Sequence, residues 1–196
     1  MLFRSPELGD LNLLNQQKNY FHLGVVVNAD GKRFVDEGLD FRNYTYSGMG
    51  AKVLQQPGGV AWQLFDQHSE HLLPDEYRVR HATRIQADTL QELVAKLEGV
   101  NATALLDTLN DYNAAVRREV PFNPAVRDGR STVGLAVPKS NWANPLERPP
   151  FVAYAVTCGI TFTFGGLKVN SDAQVLDEQG QSITGDRKST RLNSSH

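Results

Sequence analysis

Six of the chain's nine prolines fall within residues 121–150, at 121, 124, 138, 145, 149 and 150. That cluster limits what the chain can fold into more than any other feature. Proline fixes φ and offers no backbone N–H, so neither a helix interior nor a central strand can run through such a segment. Regular elements must lie on either side of it. The segment itself must be a long loop, with Asp128-Gly129 marking a turn inside it, and long ordered loops in compact domains are usually functional.

Before the loop, residues 24–28 (GVVVN) form a β-branched run followed by Asp30-Gly31, a strong hairpin signal, with residues 32–37 (KRFVDE) as the return strand. The stretch DFRNYTYSGMG leads into residues 51–56, the end of a helix stopped by Pro57-Gly58-Gly59, and VAWQLF (60–65) reads as a buried strand. Asp88 with Gln91 suggests a capping box for a helix over 89–98 that ends at Gly99. Asn101 caps a second helix over 102–118, whose apolar stripe is Leu105, Leu109, Tyr112 and Val116. After the loop, strands are expected at 151–156, 160–164, 167–170 and 173–176. Strands at both ends with helices between them indicate an α+β fold.

The charge balance is nearly even, at −2, and argues against nucleic acid as a partner. A single cysteine, Cys158, excludes an internal disulfide framework and fits a cytoplasmic protein, with the thiol expected as a buried hydrophobe. No apolar run approaches the roughly 20 residues that span a bilayer. Residues 186–196 (DRKSTRLNSSH) carry one apolar side chain, match a translated sequencing-library adapter, and are set aside from the fold.

Among chemically capable residues, Arg42 follows an acidic, aromatic segment, where a guanidinium can clamp a carboxylate; alternatively it is a surface cation paired with Asp36 or Asp40. In CGITFTFGG, Thr161 and Thr163 share a strand face, and Gly165 and Gly166 allow a flat ligand near the backbone; the segment equally fits a strand ending in a bulge. His68 and His71 have helical spacing but no further ligand at metal-site spacing, so no metal is expected. The sequons at Asn43 and Asn101 have no secretory context. No GxGxxG or Walker loop occurs.

Taken together, GVVVNADGKRFVDEG, the closing GITFTFGGLKVNSDAQVLDEQGQSITG and the strings DFRNYTY, QQPGGVAWQLFD and KSNWAN resemble fumarate-reductase-like flavoproteins, and specifically their tricarballylate dehydrogenase branch. The resemblance implies an interior piece of an FAD enzyme. Residues 1–23 would be an incomplete lead-in from the FAD domain, 24–151 a substrate-capping domain, and 152–185 a return to the FAD-binding domain. The motif that binds the dinucleotide would lie outside this chain, leaving the piece alone inactive. The implied reaction takes two hydrogens from adjacent carbons of a polycarboxylate, such as tricarballylate going to cis-aconitate, with an electron-transfer partner reoxidising the flavin. Arg42 would handle the proton, with Asp36, Glu37 or Asp40 as the neighbouring acid. Thr161 and Thr163 would meet substrate, and Gly165 and Gly166 the FAD. The strand before the two glycines lacks the histidine usual in fumarate reductases, which speaks against plain fumarate or succinate. A ketosteroid-dehydrogenase-like or fumarate-reductase-like enzyme, or a non-catalytic small-molecule binding domain, are the alternatives.

Overall fold

The computed structural model describes residues 18–78, 84–159 and 166–183. The chain divides into two compact units, Met1–Thr161 and Phe162–His196.

The first unit is built on a four-stranded antiparallel sheet in the order β1-β2-β4-β3, from β1 (Val25–Val27), β2 (Val60–Phe65), β3 (Arg84–Ala87) and β4 (Phe151–Thr157). β2 pairs along its whole length with β4, from Val60 opposite Thr157 to Phe65 opposite Val152. Both sheet faces are covered. Val25, Val27, Trp62, Leu64, Ala153 and Ala155 face α3 (Leu90–Ala95) and α4 (Ala102–Ala115), meeting Leu93, Leu105, Leu109 and Tyr112. Val26, Ala61 and Val156 face the other way, against Met49 and Val53 of α1 (Arg42–Leu54). Cover on both sides is why GVVVN and VAWQLF read as near-continuous apolar runs rather than alternating ones.

Several expected elements form with altered bounds. The Asp30-Gly31 turn is present: the Asn28 N–H donates to the Lys32 carbonyl at 3.0 Å, and Gly31 has φ 72°. A Cβ on Gly31 would lie 2.5 Å from the Leu105 backbone nitrogen, so the turn abuts α4 too closely for a side chain. The return strand, however, shrinks to one bridge between Val27 and Arg33, and on the outer edge of β1 the Val26 N–H donates to the Glu37 carboxylate instead of to a strand backbone. α1 begins at Arg42, earlier than its sequence suggests, with Phe41 at the N-cap and no side-chain cap. The N-cap sits one residue later than expected, at Thr89 in place of Asp88, with the Thr89 hydroxyl accepting from the Glu92 N–H at 3.1 Å. Asn101 caps α4 as anticipated, accepting from the Ala104 N–H at 3.0 Å, and all four stripe residues are buried. Cys158 is half-buried rather than buried, since it lies just past the end of β4.

The proline-rich segment has no strand or helix, yet it is tightly ordered by side-chain bonds to its own backbone. Asp128 Oδ1 accepts the N–H groups of Arg130 and Trp142, each at 2.9 Å, and Trp142 is fully buried with φ 55°. Asn141 Nδ2 donates to the Gly38 carbonyl at 2.8 Å, and Asn113 clamps both backbone groups of Leu146. Asp66 caps the short α2 (Gln67–Glu70) and accepts from the N–H groups of Glu147 and Arg148. Polar anchors thus replace the regular hydrogen-bond ladder that the prolines forbid.

The described part of the second unit is two tight turns closed by single bridges, Val169 to Val175 and Leu176 to Ser182, in place of the expected strands. Asn170 Oδ1 accepts from the N–H groups of Asp172 and Gln174 at 3.0 Å each. The strand expected at 160–164 lies outside the described residues. No helix among the described residues is long and apolar enough to cross a membrane.

Candidate functional site

Two arginines flank the segment that joins the β1 turn to α1, and they are used differently. Arg33 is buried. Its Nε donates to Glu37 Oε1 at 3.1 Å and its Nη2 to Glu37 Oε2 at 2.5 Å, while Nη1 reaches the Val137 carbonyl in the proline-rich loop. Glu37 Oε1 also accepts the Val26 N–H at 2.8 Å. Arg and Glu four apart in KRFVDE therefore tie strand, turn and loop together in a bidentate, charge-assisted pair.

Arg42 is the first residue of α1, and its guanidinium carbon lies 4.2 Å from the centre of the Tyr20 ring. The acids expected to serve it are engaged elsewhere. Glu37 holds Arg33, Asp36 accepts from the Ser140 N–H and hydroxyl, and Asp40 lies 3.6 Å from Arg127. Among the described residues, the N–H edge of Arg42 makes no hydrogen bond and no ion pair. Its position is also electrostatically unfavourable: a cation at a helix N-terminus opposes the macrodipole, and the first turn of α1 has no acidic residue. A half-buried cation held there with no counterion among the described residues suits an anionic ligand.

Tyr20 itself is anchored from the sheet. Its backbone N–H donates to the Tyr77 hydroxyl at 3.0 Å, and that hydroxyl donates to Gln63 Oε1 at 2.8 Å on the central strand β2. Tyr77 and Gln63 are fully buried, and burial raises the Tyr77 phenol well above its ordinary range. Behind Tyr20 lies His22, with ring centres 5.5 Å apart, and His22 packs edge-on to Trp142 at 5.2 Å. His22 is only 6% exposed. Desolvation, then the charges of Lys139 and Arg42, lower its pKa to about 3, so the imidazole is neutral near pH 7. Lys139 is fully buried and donates to the Gly24 carbonyl; desolvation lowers its pKa to about 8.

The sequence reading located Arg42 but not Tyr20, His22, Lys139 or Trp142. The strings KNYFHL and KSNWAN were the available signals, each setting a lysine among aromatic and amide side chains, but nothing in them shows that the two segments meet. Of the other expected site residues, Thr161, Thr163 and Gly165 lie outside the described residues. Gly166 has φ 141°, and a Cβ added there would meet no heavy atom within 4 Å, so its backbone is open to a flat group. No group of three or more His, Cys, Asp or Glu able to hold a metal is assembled among the described residues.

The FAD binding domain model matches residues 16–185, and the chain belongs to that family. It is 32% identical over 167 residues to a probable fumarate reductase of Shewanella frigidimarina, covering 82% of this chain and 24% of that protein. It is 27% identical over 180 residues to the 3-oxosteroid 1-dehydrogenase of Mycobacterium tuberculosis, covering 82% of this chain and 31% of that protein. Its structure resembles the open conformation of a flavocytochrome c3 fumarate reductase, with a TM-score of 0.63 at 28% identity, over 88% of this chain and 27% of that one. The chain thus spans about a quarter to a third of the length of these relatives.

Proposed function

We propose that the chain is the substrate-side part of an FAD-dependent dehydrogenase that oxidises a tricarboxylate such as tricarballylate to cis-aconitate. Residues 24–151 cap the substrate, and 152–185 belong to the FAD-binding domain. A separate electron-transfer partner reoxidises the flavin. The observation that supports this reading is Arg42: a cation stacked on Tyr20 at 4.2 Å, with its N–H edge unengaged by any described residue, at the positive end of α1. The family and relatives supply the cofactor class.

The chemistry a bound flavin supplies is acceptance of hydride from a substrate carbon. The chain's residues then have these roles. Arg42 grips one substrate carboxylate through its planar fork, and it takes the proton from the adjacent carbon at a terminal nitrogen only as it passes one of its own N–H protons on to solvent water. The grip has the firmer geometric basis. A charged guanidinium carries no lone pair to accept a proton, and Asp36, Glu37 and Asp40 are held by other partners. Thr161 and Thr163 are the residues assigned to the substrate, and Gly165 and Gly166 those assigned to the FAD. A steroid substrate has no carboxylate for Arg42, so the ketosteroid reading leaves this cation without a task.

The test is Arg42→Lys in the flavin-loaded full-length enzyme, assayed with tricarballylate, succinate and a 3-ketosteroid. Lysine keeps the charge and loses the fork. Turnover with tricarballylate should fall by roughly 10²-fold or more, the scale of general acid–base catalysis, and its KM should rise, with flavin content unchanged. Wild-type activity on the steroid with none on any polycarboxylate would overturn the proposal.

A further inference from the structure

We propose that Tyr20 is the positioning residue for Arg42: its ring face, fixed from the central strand through Tyr77 and Gln63, holds the guanidinium in place of a carboxylate partner. This rests on the role given to Arg42 above. Stacking and ion pairing differ in what they leave available. A bidentate carboxylate occupies the guanidinium's N–H edge, as Glu37 does for Arg33. An aromatic face holds the cation through its π-cloud and leaves the in-plane donors pointing outward. A site that must present a fork to an incoming carboxylate therefore gains from a ring and loses from an acid.

The platform is also preorganised. The Tyr20 N–H, the Tyr77 hydroxyl and Gln63 Oε1 form an unbroken chain at 3.0 and 2.8 Å. The Tyr77 ring meets the Tyr20 ring edge-on, with centres 6.4 Å apart. The next aromatic neighbour, His22, adds no second positive charge near pH 7, so among the described residues the cation on the ring is Arg42.

The stack and its consequence are measured separately. In the 196-residue chain, a ring 4.2 Å from the guanidinium carbon should move the Arg42 side-chain NMR signals upfield by its ring current. The shift should persist in Tyr20→Phe and Tyr20→Trp and vanish in Tyr20→Leu. In the flavin-loaded full-length enzyme, Tyr20→Leu should lower kcat/KM for tricarballylate by roughly three- to thirty-fold, the span a cation–π contact covers. Tyr20→Phe should recover most of that loss, because it restores the face without the hydroxyl. If Tyr20→Leu fails to fold, the wild-type, Phe and Trp signals still decide. No upfield shift in the wild type overturns the stack, and a Phe variant as impaired as Leu overturns the role of the ring face. Normal turnover in Arg42→Lys with the upfield shift intact would instead overturn the reading of Arg42 and leave the stack standing.

Discussion

Arg33 and Arg42 lie in one short stretch of chain, yet their environments are opposite. Arg33 has 4% of its side chain exposed, a bidentate partner in Glu37 and carbonyl contacts in the proline-rich loop. Arg42 is half-exposed, pairs with no acid among the described residues and rests on a ring. The difference separates two uses of the same side chain. A guanidinium whose donors are all matched within the protein is an anchor. One whose flat face is held while its edge stays open is ready for a ligand. GKRF-x-x-E marks the anchor, and the residues after it carry the candidate for chemistry.

The sharpest way to break this comparison is to remove the acid from the anchor. Glu37→Gln leaves Arg33 buried without its counter-charge and weakens the acceptor for the Val26 N–H. Breaking one side of a buried pair typically costs about 3–5 kcal/mol. Urea denaturation of the variant should show a loss of that size, or no folded baseline. A loss under about 1 kcal/mol would mean that water reaches Arg33 and that it is no anchor.

The next effect concerns the setting of Arg42. The His22 pKa in the folded chain is about 3, against 6.5 unperturbed. Between these values the unfolded chain binds a proton that the folded chain does not, so stability falls as pH drops from 6.5 toward 3. His22→Phe removes that contribution. Its stability should decline less steeply across the window, by up to about 1.4 kcal/mol per pH unit, while the carboxylate contributions remain. Matching slopes in wild type and variant would show that His22 is protonated when folded and that Arg42 has a second cation as neighbour.

Much of the scaffold was legible because it follows local rules. β2, the Asn101 cap, the α4 stripe and the Asp30-Gly31 turn all declare themselves through periodicity or turn chemistry. What escaped depends on long-range pairing. KRFVDE reads as a return strand after Gly31, but its Glu37 side chain accepts the Val26 N–H and its Arg33 side chain donates to the carbonyls of Val137 and Pro138, partners that only the fold brings together. The start of α1 was hidden because Phe41 provides no side-chain cap and the first turn carries Arg42 where an acid is favoured. The same breach of helix rules that concealed the boundary is evidence for the site. Arg42 was legible as a residue but not in its partner: Asp36 and Asp40 are near in sequence, whereas Tyr20 reaches it only through the fold.

The smallest expected effect sharpens the comparison from the other side. Arg42→Gln removes a cation from the helix N-terminus, which relieves roughly 0.3–1 kcal/mol of unfavourable dipole interaction. It also removes the contact with the Tyr20 ring, worth roughly 0.5–1 kcal/mol at a site of this exposure. The two changes oppose each other, and no buried partner among the described residues is left unmatched, because none of them is bonded to Arg42. The free energy of unfolding should therefore stay within about 0.5 kcal/mol of wild type, the scatter typical of surface substitutions. The same change at Arg33 would strand Glu37 in the interior. A loss of several kcal/mol in Arg42→Gln would show that Arg42, like Arg33, is a structural anchor, and its open edge would then require another explanation.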